Sequence, residues 1–186
     1  IFASMTIFDS AGKGYNLSGQ GEPERVSGVR VSWSFFETLG VKPRLGRAFL
    51  PEEETPGKHR VVVLSDGLWR SRYGADPALV GKNIRIDGED FTVVGIMPPD
   101  FTFQFWSGPR QLWVPIIYTE GDKDRGSHSF LSLARLKPNI TLEQARARMN
   151  AIGLALAQQF PKDNVGKSAT VDTTAEKGRK QFRKEG

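Results

Sequence analysis

The sequence predicts an α+β fold with mixed or antiparallel sheets. Short stretches of two-residue apolar alternation recur from about residue 24 to residue 136, a single long helical pattern follows them, and strands and helices do not alternate as a doubly wound parallel sheet requires. The 186 residues are 38% hydrophobic and 10% aromatic, which describes a folded chain rather than a disordered one. A chain of this length buries roughly 70% of its unfolded surface, enough for one domain or two closely packed lobes.

Taken in order, "ERVSGVRV" at 24–31 places Val26, Val29 and Val31 in a strand, with Gly28 marking a bulge. The following "SWSFFETLGV" reads as a short helix capped by Ser32 or Ser34, apolar through Phe35, Phe36 and Leu39, and stopped by Gly40. Residues 42–60 carry three prolines and an acidic run and read as a surface loop. "RVVVLSDGLWRSRYG" at 60–74 is a buried strand running into a helix capped by Ser65 or Asp66, with Trp69 and Tyr73 packing inward and Gly74 ending it.

Residues 82–97 form a hairpin, because Ile84 and Ile86 alternate with polar residues, Asp87-Gly88 supplies a tight turn, and Phe91 and Val93 resume the alternation. Leu112–Ile117 is a strand in which Pro115 points to a sheet edge. Residues 129–136 form another strand. The helix over 141–160 is the clearest in the chain: Thr141 caps it, Gln144 completes a capping box, and Leu142, Ala145, Met149, Ile152, Leu156 and Phe160 share one stripe before Pro161. A last strand is expected at 168–173.

The chemistry this chain can carry is narrow. It has no cysteine, which removes disulfides, thiolate zinc sites and cysteine nucleophiles. Its net charge of +5 is concentrated in the end of the chain, where Lys177, Arg179, Lys180, Arg183 and Lys184 face only Glu176 and Glu185; the rest is close to balance, so no nucleic-acid partner is expected. No stretch approaches the roughly 18 apolar residues of a membrane span. The chain opens on Ile1 with no charged-then-apolar leader, which fits a segment of a longer protein.

No catalytic, cofactor-binding or metal constellation emerges. A nucleophile elbow at Ser65 needs a glycine where Val63 stands, and neither His59 nor His128 is paired with it by any motif. Gly166-Lys167-Ser168 lacks the earlier glycine of a phosphate loop, since Pro161 occupies that place, and Gly19 and Gly21 have Glu24 where a dinucleotide fingerprint needs its third glycine. Asp122, Asp124 and Gly126 start like a calcium loop that then has Leu133 at its twelfth position. Glu52, Glu53 and Glu54 read as a solvated face. The aromatic run Phe101, Phe103, Phe105 and Trp106 has two readings, a core strand face or an exposed tip that contacts a partner or substrate.

The ordered series "VSWSFFETLGVKPRLGRAF", "VVVLSDGLWRSRYGADPALVGKNIRIDGEDFTVVGIMPPDF", "LWVPI" and "ARLKPNITLEQARARMNAIGLALAQQFP" resembles the extracytoplasmic core domain of MacB-like ABC-transporter permeases with FtsX-like permease segments. The resemblance runs from about residue 24 to about residue 165. It implies a porter-like α/β lobe from residues 1–32 and 128–175, with part of its N-terminal side missing, a β-rich inserted lobe from 33–127, and a basic tail at 176–186. It implies a non-catalytic domain on the periplasmic side of a bacterial inner membrane, attached to its own transmembrane helices and working as a homodimer, with a periplasmic adaptor as a further partner. ATP would bind a separate cytoplasmic ATPase, and this chain itself would hold no cofactor. Two other readings stay open: a stand-alone extracytoplasmic module for peptide, lipid or glycan, which predicts an apolar pocket lined by residues 101–113, and a serine hydrolase using Ser65.

Overall fold

The computed structural model describes residues 1–103, 108–119, 122, 129–164 and 171–174. Strands β1 (Phe2–Asp9), β2 (Lys13–Ser18) and β3 (Glu24–Val31) precede helix α1 (Phe35–Leu39) and the two-residue β4 (Leu45–Gly46). Strand β5 (Val61–Leu64) leads into α2 (Asp66–Tyr73), followed by the β6 (Asn83–Ile86) and β7 (Glu89–Ile96) hairpin, β8 (Leu112–Pro115), β9 (Phe130–Leu136), α3 (Leu142–Gln159) and the single turn α4 (Pro161–Asn164).

The pairings close a ring. Going round, β2 pairs β6, β6 pairs β7, β7 pairs β5, β5 pairs β8, β8 pairs β3, and β3 returns to β2 through five residue pairs from Lys13↔Gly28 to Leu17↔Glu24. Two of these ladders, β5–β7 and β3–β8, are parallel and the other four antiparallel, so the expected mixed α+β architecture is what forms. A closed ring leaves none of these six strands as an edge.

Alternation along each strand sorts side chains between the ring interior and its outer face. Tyr15, Leu17, Val26, Val62, Leu64, Ile84, Ile86, Val93, Leu112 and Val114 fill the interior, and Leu68 and Trp69 of α2 join the same core. Val29, Val31, Val61, Val63 and Trp113 face outward into a second layer with Phe35, Phe36, Phe49 and Phe103. Phe35 sits 5.3 Å from Phe36 and 4.9 Å from Phe103 in edge-on contacts, and Phe36 lies 5.8 Å from Trp113. This explains why "VVVL" and "LWVP" are apolar throughout: all eight residues are buried, on one face or the other.

Local rules set the helix ends and turns. Ser65 accepts the Leu68 N–H through its hydroxyl, Gly74 closes α2 at φ 62°, and the Trp69 indole N–H donates to the Asp76 carbonyl at 2.9 Å. The β6–β7 turn has Asp87 at φ 50° and Gly88 at φ 82°, the paired positive angles of a two-residue hairpin. Ser34 caps α1 by position alone, without a side-chain hydrogen bond.

Several expectations are corrected. Pro115 does not mark an edge: β8 lies between β5 and β3, and Pro115 is tolerated because it is the last residue of the strand, beyond the β5 ladder, which stops at Trp113. Gly28 is not a bulge, since its register is continuous with both neighbours; it faces the ring interior, where a Cβ would meet Leu112 Cδ1 at 2.5 Å and the Tyr15 ring at 2.7 Å. The stretch 42–60 is more than surface loop. Leu45 and Gly46 pair with Ile96 and Gly95, and a 3-10 turn at Pro51–Glu54 buries Glu53 against the Arg47 guanidinium at 2.6 Å, so the acidic run is not wholly solvated. In the expected strand at 168–173, residues 171–173 carry no strand, and 168–170 lie outside the described residues.

Gly95 is where this added segment meets the ring. A Cβ there would collide with the backbone carbonyl of Arg47, which no side-chain rearrangement relieves. Gly95→Ala is therefore expected to lower stability by about 1–3 kcal/mol, the range for forcing atoms into a packed site. Urea denaturation followed by tryptophan fluorescence measures it, and an unchanged midpoint would refute the close approach.

Candidate functional site

Outside the ring, β1 and β9 form a two-stranded ribbon. β1 touches the ring through the single pair Phe8↔Val31, then runs with β9 from Phe2↔Leu136 to Asp9↔Phe130. Its root is held by polar contacts. The Arg30 guanidinium donates to both Asp9 carboxylate oxygens at 2.8 and 3.0 Å, and Asp122 lies 3.7 Å away. The hydrogen bonds to Asp9 hold the Arg30 pKa above its already high ordinary value, outweighing the opposing effect of burial. Thr6 and Ser32 hydroxyls meet at 2.6 Å, and Arg135 donates twice to the Thr38 carbonyl at the end of α1.

Helix α3 stands over this ribbon with its expected capping box formed: Thr141 and Gln144 bond reciprocally. The expected stripe is covered only in part, with Leu142, Met149 and Phe160 half-buried. Ala145 is the buried residue of the helix, whereas Ile152 is 48% exposed, Leu154 60% and Leu156 39%; across the ribbon Met5 is 46% exposed. Between helix and ribbon lies a groove of about 540 Å³, lined by Phe2, Met5, Phe130, Leu133, Leu142 and Met149 among others.

A second depression, of about 310 Å³, has the ring residues Tyr15, Ile86 and Val114 as its floor. Phe91 and Pro115 also line it, and Lys13, Arg30, His59, Asp87 and Glu89 surround it. Burial raises the Tyr15 pKa far above the ordinary tyrosine value, with the nearby Asp9 charge adding to the shift, so the phenol stays protonated. Charges of both signs surround this mouth and answer one another: Lys13 lies 3.8 Å from Asp87, and Arg60 lies 2.7 Å from Glu89.

The residues singled out by sequence fall as follows. Phe103 is buried, 5.2 Å from Phe8, and Phe101 packs 5.4 Å from Trp113, so both belong to the outer aromatic layer; Phe105 and Trp106 lie outside the described residues. Leu112 and Trp113 are fully buried and fill core with Phe103, whereas Thr102 and Pro109 are exposed and Arg110 lines a cleft with residues 11–14. The Ser65 hydroxyl is engaged as a helix cap. The His59 Nδ1 accepts the Gly57 N–H, and His128 is outside the described residues. Asp122 closes a turn, accepting from the Thr119 N–H and hydroxyl at 2.8 and 2.7 Å, while Asp124 and Gly126 are not described. Among the described residues no three His, Asp or Glu side chains converge as metal ligands, and no helix is long and apolar enough to cross a membrane.

Sequence reasoning passed over the Arg30–Asp9–Asp122 cluster. Its members sit on β1, β3 and the turn at 122, and no spacing rule links residues so far apart. The exposed face of α3 was also missed, because a helical stripe reports that a face is apolar and not what covers it.

Comparison with known proteins gives a consistent picture. The family model described as MacB-like periplasmic core domain matches residues 3–152. The periplasmic region of MacB from Actinobacillus actinomycetemcomitans superposes with a TM-score of 0.66 at 14% identity, covering 98% of this chain and 76% of that one. A domain of a putative permease protein from Porphyromonas gingivalis gives 0.60 at 14% identity, with 98% and 79% covered. The extracellular domain of the noncanonical ABC-type transporter YknZ from Gram-positive bacteria gives 0.58 at 16% identity, with 85% and 78% covered. A search of curated proteins finds no match.

Two measurements check the placement of these residues. Ser65→Ala is expected to cost about 1 kcal/mol of stability through the lost cap, read by thermal unfolding; esterase turnover that disappears with the hydroxyl would overturn the cap reading. Leu154→Ser, on the exposed face of α3, is expected to change stability by no more than about 0.5 kcal/mol, and a larger loss would mean that this face is packed.

Proposed function

Because the chain belongs to the family of MacB-like periplasmic core domains, we propose that it is a non-catalytic extracytoplasmic domain of an ABC-transporter permease. In this reading it couples ATP-driven movements of a permease dimer to substrate export or to a mechanical signal across the membrane. The family is one of permeases that pair with cytoplasmic ATPases, and its name places the domain on the extracytoplasmic side of a membrane protein. The observation that carries the reading is the family match over residues 3–152, reinforced by a fold shared with the periplasmic and extracellular domains of such transporters.

The build of the domain suits a transmitting part. A closed ring with a filled interior has few ways to deform, so displacement at one end is passed on as rigid-body movement rather than absorbed. The ribbon of β1 and β9 pairs with that ring at Phe8↔Val31 and is fastened to it by the Arg30–Asp9 clamp, the Thr6–Ser32 contact and the packing of Phe8 against Phe35 and Phe103, so it moves with the ring. The division into a lobe from residues 1–32 and 128–175 and another from 33–127 is proposed from the family resemblance, with β2 and β3 of the first stretch completing the ring of the second. A homodimer and a periplasmic adaptor belong to the same proposal.

A binding-module reading has one observation in its favour, the apolar groove beside α3. The two readings part in one experiment. The chain has no cysteine, so Leu154→Cys gives a unique labelling position in this domain. With the full-length permease and its ATPase in nanodiscs, spin labels at this position are expected to report an inter-copy distance that shifts between the ADP and ATP states. Identical distance distributions in both states would sink the coupling role, and the absence of any inter-copy signal would sink the dimer.

A further inference from the structure

Where β2 begins, two guanidinium groups gather on the outer side of the β2–β3 ribbon, while the Lys13 ammonium lies on the other face, 5.1 Å from the Tyr15 ring. Gly14 and Ser27 face each other across that ribbon, and the missing side chain at Gly14 leaves a hollow. The Arg25 guanidinium lies over Gly14, so close that a Cβ there would meet its Nε at 2.5 Å. The Arg110 guanidinium lies in the same way over Gly12, where a Cβ would meet its Cζ at 2.5 Å; Gly12 has φ 67°, a conformation that itself favours glycine. Two residues of chain span at most about 7 Å, so the two guanidinium groups are held as close neighbours. Lys13 stands between them in sequence and lines the same cleft, of about 320 Å³.

The cleft is built rather than incidental. Arg110 is only 6% exposed, and its guanidinium is fixed by donating to the Ser27 hydroxyl at 2.8 Å and the Ala11 carbonyl at 3.2 Å. Burial lowers its pKa below the ordinary arginine value, which is the signature of a cation held away from water. Arg25 is oriented by the Asn16 side-chain carbonyl at 3.1 Å. The residues lining the cleft are Ala11, Gly12, Lys13, Gly14, Val26 and Ser27 with the two arginines, so no carboxylate among the described residues sits in its wall. Lys13 also lies 3.8 Å from Asp87, on the far side of its strand.

We propose that this cleft binds an anion of the phosphate class, gripped between Arg25 and Arg110. Both guanidinium groups line the cleft, so an anion held there would accept paired, charge-assisted hydrogen bonds from two planar forks. The planar donor fork of arginine matches phosphate oxygens, and the hydroxyl of Ser27 adds a further donor beside them. The anion could be a free phosphate compound or the phosphate of a lipid headgroup, since the chemistry recognised is the same. The site is independent of the coupling role proposed above.

The test is titration of the chain 1–186 with inorganic phosphate at low ionic strength, by calorimetry and amide chemical shifts. Shifts centred on residues 11–14 and 25–27 are expected. The variant Arg25→Ala changes only a solvent-facing side chain, so it keeps the fold where Arg110→Gln could lose it; it is expected to weaken binding at least roughly tenfold. Arg148→Ala, which removes a cation of α3 outside the cleft, should leave affinity unchanged. No binding by the unaltered chain, equal binding by Arg25→Ala, or equal weakening by Arg148→Ala would each overturn the site. Cosedimentation with phosphatidylglycerol vesicles but not phosphatidylcholine vesicles, lost with Arg25→Ala, assigns the anion to a headgroup. Phosphate binding without cosedimentation assigns it to a solute.

Discussion

Everything in this domain depends on six short strands closing on one another. Closure makes each strand apolar on its inner face, and β5 and β8, which also support the layer of aromatic side chains, are buried on both. β8 shows the constraint most plainly: Leu112 and Val114 point into the ring, Trp113 points out beneath Phe36 and Phe101, and all are buried. The curvature this demands leaves little room inside, and Gly28 supplies some of it by letting Leu112 and Tyr15 meet over its bare Cα.

The outer layer converts that ring into a platform. Phe35 and Phe36, adjacent on a helix only five residues long, could not form a stable helix alone. They are held by Phe8, Phe103 and Trp113, so the helix exists because the aromatic layer needs it. The same layer carries β1 away from the ring, and the Arg30–Asp9 pair fixes the angle at which it leaves. A partly buried ion pair of this kind adds little net stability but costs a good deal to break, which suits a joint more than a core.

The described residues show no convergent catalytic or metal-ligating set, and the serine that most resembled a nucleophile caps a helix. What they do present is an apolar groove under α3, a charge-balanced ring mouth and a basic cleft at the start of β2. These three differ in polarity, so they offer contacts to different chemistries on one rigid body.

The sequence by itself determined the local structure: the Asp87-Gly88 hairpin, the Ser65 and Thr141 caps, the Gly40 and Gly74 stops, and most strands by their alternation. These are legible because each is set by residues within a few positions of one another. The order of its segments also carried the family resemblance, which the family match over residues 3–152 established. Only the tertiary structure decided that the strands close into a ring, that Pro115 sits inside a sheet rather than at its edge, and that Glu53 is buried against Arg47. It alone revealed that the apolar stripe of α3 is covered only in part, with Ile152 and Leu156 exposed, and that Arg25 and Arg110, 85 positions apart, share one cleft. Apolar patterning fixes which face of an element avoids water, but pairing partners and long-range charge contacts depend on distances that no local period encodes.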